Sequence, residues 1–473
     1  MSPRARERLT LLACALLGLG VAVYVVATLR RPAGPTEAEL LTEASRIWRR
    51  LPLYVEPEVG ALDDGPLAFR KHALYTPLWS AFLGLLMPLG GASALAIGRL
   101  LAALAWFVGV PLTALRAARG STEARAMALL AFAGPAGMFF LVRAGVGCNV
   151  DPIAVLLAAV AFANCLAARR VTPLAAVLFA GAVLLKPHVA GIGLGVALAS
   201  IPRRDLGRRW LGLGVAVALA GALGLYLVSG GAWPRHMLAS SANPWSLARF
   251  VDYLVGYGFA LGLPHLVFGV ALLIRGDRLA GAGVLGSTVL AAVLMGKLGS
   301  ATNYWLEPTA ALAVALAAHR GSWKVGVWAG AMGLVLVAVA LDLGALPKEA
   351  RGWVEDARTL ERARRACTPG PGEVWSASDP MLEYALAGRV TRAPWQLSLL
   401  VRAGKLPVSM LASDLAEPRL TCFAMRGPGL ESPPGRTPVE DGLYDHELWA
   451  PMREHFERVG DTGVLYIYRR RAR

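Results

Sequence analysis

"LTLLACALLGLGVAVYVVATL", residues 9–29, is an uncharged apolar run of 21 residues set between "MSPRARER" and "RRP". A helix of that length rises about 30 Å, the thickness of a bilayer's hydrocarbon core. The run is too long for the apolar region of a cleaved leader, and no small-x-small cleavage site follows it, so it reads as a retained membrane anchor. The rest of the chain has the same texture. Of its 473 residues, 56% are hydrophobic and 17% are charged, and long apolar blocks alternate with short basic clusters. Such a composition predicts a polytopic α-helical membrane protein. The net charge of +16 does not point to nucleic acid, because the Lys and Arg residues sit between apolar blocks and form no single basic face.

Further spans are predicted near 94–115, 126–142, 152–168, 171–185, 188–201, 211–230, 251–274, 279–296, 305–318 and 325–344. The clusters "RARER", "RAARGSTEAR", "AARR", "PRRDLGRR", "RGDR" and "HRGSWK" belong in the cytoplasm by the positive-inside bias. They share one side only if the block at 75–91 does not cross, so that block is read as re-entrant or interfacial. About eleven transmembrane helices result, with the N-terminus cytoplasmic and the C-terminus outside, in a bacterial-type inner or plasma membrane. The transmembrane domain is 1–344, and its first outer loop, 30–93, carries Arg46, Arg49, Arg50, Arg70 and Lys71. An anionic ligand on the outer side would need such charges.

After residue 345 no membrane-length apolar run remains, and 345–473 reads as a soluble extracytoplasmic α/β domain. "EVWSAS" and "GVLYIYRR" predict strands; "DPMLEYALAG" and "ELWAPMREHFERV" predict helices. Cys367 and Cys422 both lie there, where either a disulfide or two unpaired core thiols is open. Cys14 and Cys165 sit in apolar spans as packing residues, and no Cys/His cluster has metal-site spacing.

Acids are scarce in the apolar part, so their positions carry weight. In "PTEAELLTEASRIWRRLPLY", residues 35–54, Leu40, Ala44, Ile47, Trp48 and Leu51 share one helical face. The segment therefore predicts an amphipathic helix on the outer membrane surface. Thr36-x-x-Glu39 has the pattern of a capping box, and Glu43 has helical spacing to Arg46 and Arg50. Glu37 has no such local partner, beyond being an acid in a first turn. In "RAGVGCNVDPIAVLLAAVAF", Asp151 precedes Pro152 as either an N-cap or a functional acid. On the derived topology Glu37 and Asp151 face the same side, where a base and an orienting or metal-binding partner are needed for group transfer. Cations and aromatics gather at outer mouths too: Arg143, Arg235 and Arg249 in outer connections, Lys186 and His188 in "LLKPHVAG", and Lys297, Asn303, Tyr304 and Glu307 in "GKLGSATNYWLEP". Such groups suit an anionic lipid phosphate, although single cations also snorkel to headgroups, a lone His commonly caps or packs, and Tyr304 and Trp305 fit an interfacial aromatic belt.

In order, "ASRIWRRLPLY", "YTPLW", "NVDPIAVLLAAVAF", "LLKPH", "GSATNYWLEP" and "YALAGR" give the chain a resemblance, over most of its length, to the GT-C membrane glycosyltransferases of the dolichyl-phosphate-mannose mannosyltransferase-like (family 39-like) group. The resemblance implies sugar transfer from a polyprenyl-phosphate-linked donor to a glycan, lipid or protein hydroxyl on the outer face, without nucleic acid as a partner. It carries the activating acid of the first outer loop onto Glu37 and that of the next outer loop onto Asp151. Arg143, Lys186, His188, Lys297, Asn303, Tyr304 and Glu307 are the expected substrate-binding residues, read from their own placement at the outer mouths. Glu stands where the family commonly has Asp, and the adjacent acidic pair is absent, which leaves use of Mg or Mn at Glu37 and Asp151 open. The competing class is a lipid-linked-sugar transporter or flippase, or a non-catalytic membrane scaffold. A transporter needs polar residues midway through several spans, and these spans are almost wholly apolar, which favours the enzyme.

Overall fold

The computed structural model describes residues 2–29, 31–57, 59–62, 67–70, 73, 76–118, 121–201, 207–241, 245–256, 262–297, 302–319, 325–391, 397, 400–401, 406–426 and 452–472. Its helices run, from the N-terminus, α1 (Pro3–Leu29), α2 (Pro35–Trp48), α3 (Pro77–Leu86), α4 (Gly91–Leu104), α5 (Val110–Ala117), α6 (Thr122–Ala136), α7 (Phe139–Val146), α8 (Asp151–Ala168), α9 (Pro173–Leu185) and α10 (Gly191–Ser200). There follow α11 (Gly207–Val228), α12 (Ala232–Ser241), α13 (Leu247–Tyr253), α14 (Leu263–Ile274), α15 (Arg278–Met295), α16 (Leu306–Ala318) and α17 (Val325–Ala366). The C-terminal part holds β1 (Val374–Ala377), α18 (Pro380–Ala387), α19 (Val408–Ala416), β2 (Leu420–Arg426), β3 (Phe456–Asp461) and β4 (Leu465–Arg470).

Local chemistry explains many boundaries. The Ser121 and Thr172 hydroxyls accept the backbone N–H groups of Ala124 and Ala175, capping α6 and α9, and Pro173 occupies the first turn of α9, where its missing donor costs nothing. Asp379 caps α18 through the Leu382 N–H, and Gly388 ends it at φ 73°, a conformation that a side chain would strain.

Among the described residues, five helical stretches are long and apolar enough to cross a membrane: Arg4–Leu29, Gly91–Ala117, Asp151–Ala168, Arg209–Val228 and Arg278–Met295. The second joins α4 to α5 through a π-helical turn at Ala105–Gly109. Several predicted spans differ. The stretch 126–142 is two helices, because Pro135 removes a backbone donor near the end of α6 and the chain restarts at α7. The stretch 251–274 is likewise divided between α13 and α14. The block at 75–91 becomes α3 and a 3₁₀ turn at Met87–Leu89; ten helical residues rise about 15 Å, half of a hydrocarbon core. The last apolar run does not stop near 344, since α17 continues through Pro347 to Ala366.

The chain forms two compact units. The first comprises Met1–Arg30, Ala96–Val228 and Pro244–Lys348. At its centre is α16, buried on every side from Leu306 to Ala317 and packed by α5, α6, α8 and α15. Its Ala, Leu and Val residues supply no polar face, which is why it sits inside. Helices α10 and α15 touch through glycine: a Cβ on Gly195 would lie 2.0 Å from the Ala282 carbonyl oxygen, and one on Gly191 would lie 2.4 Å from the Ser287 Cα. Close backbone approach of this kind is a membrane-helix packing mode. Leu16, Leu19 and Val23 on α1, and Val215, Leu219 and Leu223 on α11, are exposed, as lipid-facing surfaces are.

The second unit comprises Arg31–Leu95, Ser229–Asn243 and Glu349–Arg473. Its sheet has the order β1-β2-β4-β3, with β1 parallel to β2 and the other neighbours antiparallel. Phe423, Phe456, Tyr468, Leu420 and Leu415 form its core, together with Leu67 from the segment after α2. Arg70 closes that segment onto α19, with Nε 2.8 Å and Nη2 3.3 Å from the two oxygens of Asp414. Cys367 and Cys422 are bridged, joining the end of α17 to β2. Strand β2 had no counterpart among the sequence expectations. The helix expected over 447–459 is overturned in its second half: 447–451 lie outside the described residues, and Phe456–Asp461 is a strand. Pairing with β4 and burial of Phe456 override local helix propensity there.

Helix α2 also departs from expectation. Leu40, Leu41 and Ala44 are buried, but so are Glu37, Glu39, Glu43 and Arg46, so it is not a surface amphipathic helix. Polar groups line its interior contacts: Ser80 donates to Glu43 at 2.6 Å, and the Val390 N–H donates to Thr42 at 2.9 Å. The capping box is shifted as well. Pro35 is the first helical residue, and it is the Gly34 N–H that donates to Glu37 Oε2, at 2.7 Å, which replaces the expected Thr36–Glu39 pair.

Candidate active site

Asp151 starts α8, but Val150 occupies the N-cap position, so the carboxylate is not spent on capping. Lys186 Nζ lies 3.0 Å from its Oδ2, His188 Nε2 lies 3.0 Å from its Oδ1, and Asn303 Nδ2 donates to Oδ1 at 2.6 Å. Asp151 is 1% exposed and Lys186 3%. Opposite charges removed from water must be paired this closely to be tolerated. The sequence arranges the partners through a break. Pro187 disfavours helix at the residue before it, and Lys186 accordingly adopts extended backbone, φ −149° and ψ 101°. A turn closed by the Val189 N–H on the Lys186 carbonyl then brings His188 round beside Lys186.

On the other flank, Tyr304 lies in the 3₁₀ turn Thr302–Trp305 and sets its ring edge-to-face against His188, centroids 4.2 Å apart. The backbone of Lys297 bridges to Trp245. Glu307 has a different employment: its two oxygens accept the Gly191 and Ile192 N–H groups, at 3.2 and 2.8 Å, at the open start of α10. That is an anion on a helix N-terminus. Arg143 stays exposed on the last turn of α7. Arg249 lies over the Tyr253 ring, 5.2 Å from its centroid.

In the second unit, Glu37 is 3% exposed. Besides Gly34, it faces Arg31, whose Nη2 is 3.7 Å from Oε2 and whose Nη1 is 3.9 Å from Glu349. Arg235 pairs with Glu56 at 3.2 Å, and Arg46 donates to the Pro52 carbonyl and lies over Phe69. Lys71 and Ser300 fall outside the described residues.

The donors do not fit a divalent metal. Asp151 is turned to two basic side chains and an amide donor, and Glu37 to a backbone N–H and a guanidinium, partners that a cation would have to displace. Among the described residues, no group of three His, Cys, Asp or Glu side chains is placed to hold a metal ion.

Sequence reasoning passed over two buried polar groups. Arg99 is fully buried within the Gly91–Ala117 stretch and donates to the Thr28 carbonyl at 2.6 Å; a lone Arg inside "SALAIGRLLAALAWF" was its signal. Glu383, on α18, accepts from Ser376 and from both the hydroxyl and N–H of Thr391. Nothing in its local sequence marks that role.

No protein-family model matches the chain, and no curated protein does. Solved structures do. The ArnT of Cupriavidus metallidurans bound to undecaprenyl phosphate aligns with TM-score 0.62 at 14% identity, over 96% of this chain and 97% of that one. Its apo state aligns with TM-score 0.59 at 15% identity, with the same coverage. The apo oligosaccharyltransferase of Archaeoglobus fulgidus aligns with TM-score 0.53 at 11% identity, over 88% of this chain and 69% of that one. At such identities the likeness speaks to architecture, and it agrees with the resemblance carried by the sequence blocks: this chain shares the fold of ArnT and of the archaeal oligosaccharyltransferase.

Proposed function

We propose that this chain is a membrane glycosyltransferase that moves a sugar from a polyprenyl-phosphate donor to an acceptor hydroxyl. The observation that carries the reading is the buried cluster of Asp151, Lys186, His188 and Asn303. A similar fold binds undecaprenyl phosphate in ArnT, and a lipid phosphate is the natural partner of a Lys and a His held at a helix break.

In the proposed reaction the acceptor oxygen attacks the sugar C1 as the bond from C1 to the phosphate oxygen breaks. The electron pair leaves with the polyprenyl phosphate, and C1 is inverted. The acceptor's proton passes to a carboxylate base, the role that the sequence resemblance carries onto Glu37. Lys186 and His188 stabilise the charge that grows on the departing phosphate. Asp151 acts through those two side chains as a positioning residue. Tyr304 packs against His188 and supplies a phenol beside it.

The test is transfer with purified protein and a panel of polyprenyl-phosphate sugars, together with mass spectrometry of copurifying lipid. A bound polyprenyl-phosphate sugar is expected, with transfer falling about 10²–10³-fold in Lys186→Gln. A folded Lys186→Gln protein that transfers at the wild-type rate overturns the assignment of the site.

A further inference from the structure

At the opposite end of the first unit lies a cavity of about 650 Å³ that the proposed reaction does not use. Three helices connect the two ends. Helix α8 starts at Asp151 and is closed by Arg169, α16 carries Glu307 in its first turn and is closed by His319, and α15 runs in the reverse sense from Arg278 towards Lys297. The 18 residues of α8 rise about 27 Å, so the cavity is roughly a membrane's apolar thickness away from Asp151.

Its wall is made of helix ends, and most carry an arginine: Arg116 in the last turn of α5, Arg169 closing α8, Arg275 closing α14 and Arg278 opening α15. One of these is fixed by a chain of contacts. Asp277 Oδ2 is 2.5 Å from His319 Nδ1, and His319 Nε2 is 3.4 Å from Arg275 Nη1. With Nδ1–H donated to Asp277, Nε2 is left to accept from the guanidinium. The His319 side chain is 8% exposed, while Asp277 and Arg275 reach towards the open side of the cavity. Arg169 is held in the left-handed region, φ 56°, which is uncommon for a residue with a side chain. The floor between the arginines is aliphatic, supplied by α8 and α15. Arg278 stands at the start of α15, where the helix dipole disfavours a cation, and yet it shares one concavity with three further guanidinium groups, whose forks match phosphate oxygens two at a time.

We propose that this cavity is a second binding site, for a phosphate group carried by an anionic lipid or by a soluble phosphate, on the face of the membrane away from Asp151. It does not depend on the glycosyltransferase reading.

The experiment uses the full chain in detergent, titrated with short-chain phosphatidylglycerol and, separately, with inorganic phosphate, and read by native mass spectrometry and calorimetry. One saturable phosphatidylglycerol site per chain is expected, weakened roughly tenfold or more by Arg169→Gln, Arg275→Gln and Arg278→Gln together. A matched triple of exposed arginines outside the cavity, Arg4→Gln, Arg8→Gln and Arg125→Gln, leaves it unchanged. Competition by millimolar inorganic phosphate names a soluble phosphate as the ligand; its failure to compete names the lipid headgroup. Equal loss in both triples, or no loss in the cavity triple, overturns the proposal, because the charges then act only as a diffuse basic belt. If the cavity triple does not fold, Arg116→Gln on the exposed end of α5 replaces it, with measurably weaker binding expected and unchanged binding decisive against the site.

Discussion

Replacing Asp151 by asparagine removes the carboxylate 3.0 Å from Lys186 Nζ, and breaking a buried ion pair costs about 3–5 kcal/mol. The folded fraction of Asp151→Asn is therefore expected to drop in thermal unfolding. Adding Lys186→Met to the same chain recovers much of the loss, while transfer stays absent in both. Full stability in the single variant would mean that the pair contributes nothing. Glu37 separates differently. Glutamine at the same position still accepts the Gly34 N–H, so Glu37→Gln is expected to fold as wild type and to lose transfer. Alanine gives up the capping bond too, at about 1 kcal/mol. Near-normal turnover in Glu37→Gln removes it as the base. Tyr304→Phe keeps the ring against His188 and deletes only the phenol, so its stability is expected to hold. Donor use weakens by about 0.5–1.5 kcal/mol if that hydroxyl binds the donor, as donor-concentration kinetics would record.

Helix packing sets the next scale. A side chain at Gly195 would run into the backbone of α15, so Gly195→Val is expected to destabilise the first unit by about 1–3 kcal/mol or more. On α11 the outcome is opposite. A Cβ at Gly212 meets nothing within 4 Å, and Gly212→Ala gains helix propensity of up to about 1 kcal/mol. Thermal shifts of the two variants in one detergent compare them directly, and an equal response would place α10 and α15 further apart than described. In the second unit the Cys367–Cys422 bridge closes a separation of 55 residues. Its removal by paired serine substitutions is expected to cost about 2–4 kcal/mol and to raise protease sensitivity of the C-terminal residues.

For the molecule as a whole, α8, α15 and α16 set Asp151 and His319 at opposite ends of the first unit, which the topology expected from the basic clusters assigns to opposite sides of a membrane. Single cysteines at Lys297 and Asn303 are expected to label with an impermeant reagent from outside, and cysteines at Arg170 and Arg275 only after access to the cytoplasmic side. Labelling of both pairs from one side would break the topology drawn from the basic clusters. Residues 31–95 and the C-terminal residues belong to one compact unit, through Arg70 with Asp414 and Thr42 with Val390. Arg70→Ala should therefore loosen both in proteolysis.

Residues 9–29 by themselves determined that the chain enters a membrane, because hydropathy and run length are local properties that no distant contact revises. The ordered blocks likewise brought out a resemblance to the GT-C enzymes, and the fold that it implies agrees with the one shared with ArnT. Strand β1, helix α18 with its Asp379 cap and Gly388 stop, and strand β4 were legible for the same reason: their signals lie within a few residues of one another. What the sequence left undecided was partnership. Asp151 could be a cap or a charge centre, and only its meeting with Asn303, 152 positions away, assigned it to the cluster. Glu307 looked like part of a binding loop until the start of α10 took both its oxygens. Helix α2 had an amphipathic pattern, yet Ser80 and Val390 bury its polar face. The residues 456–461 had a helical appearance until β4 paired with them. In each case a polar or ambiguous residue had two acceptable local states of similar energy, and the tertiary partner that would satisfy it in the interior made the choice.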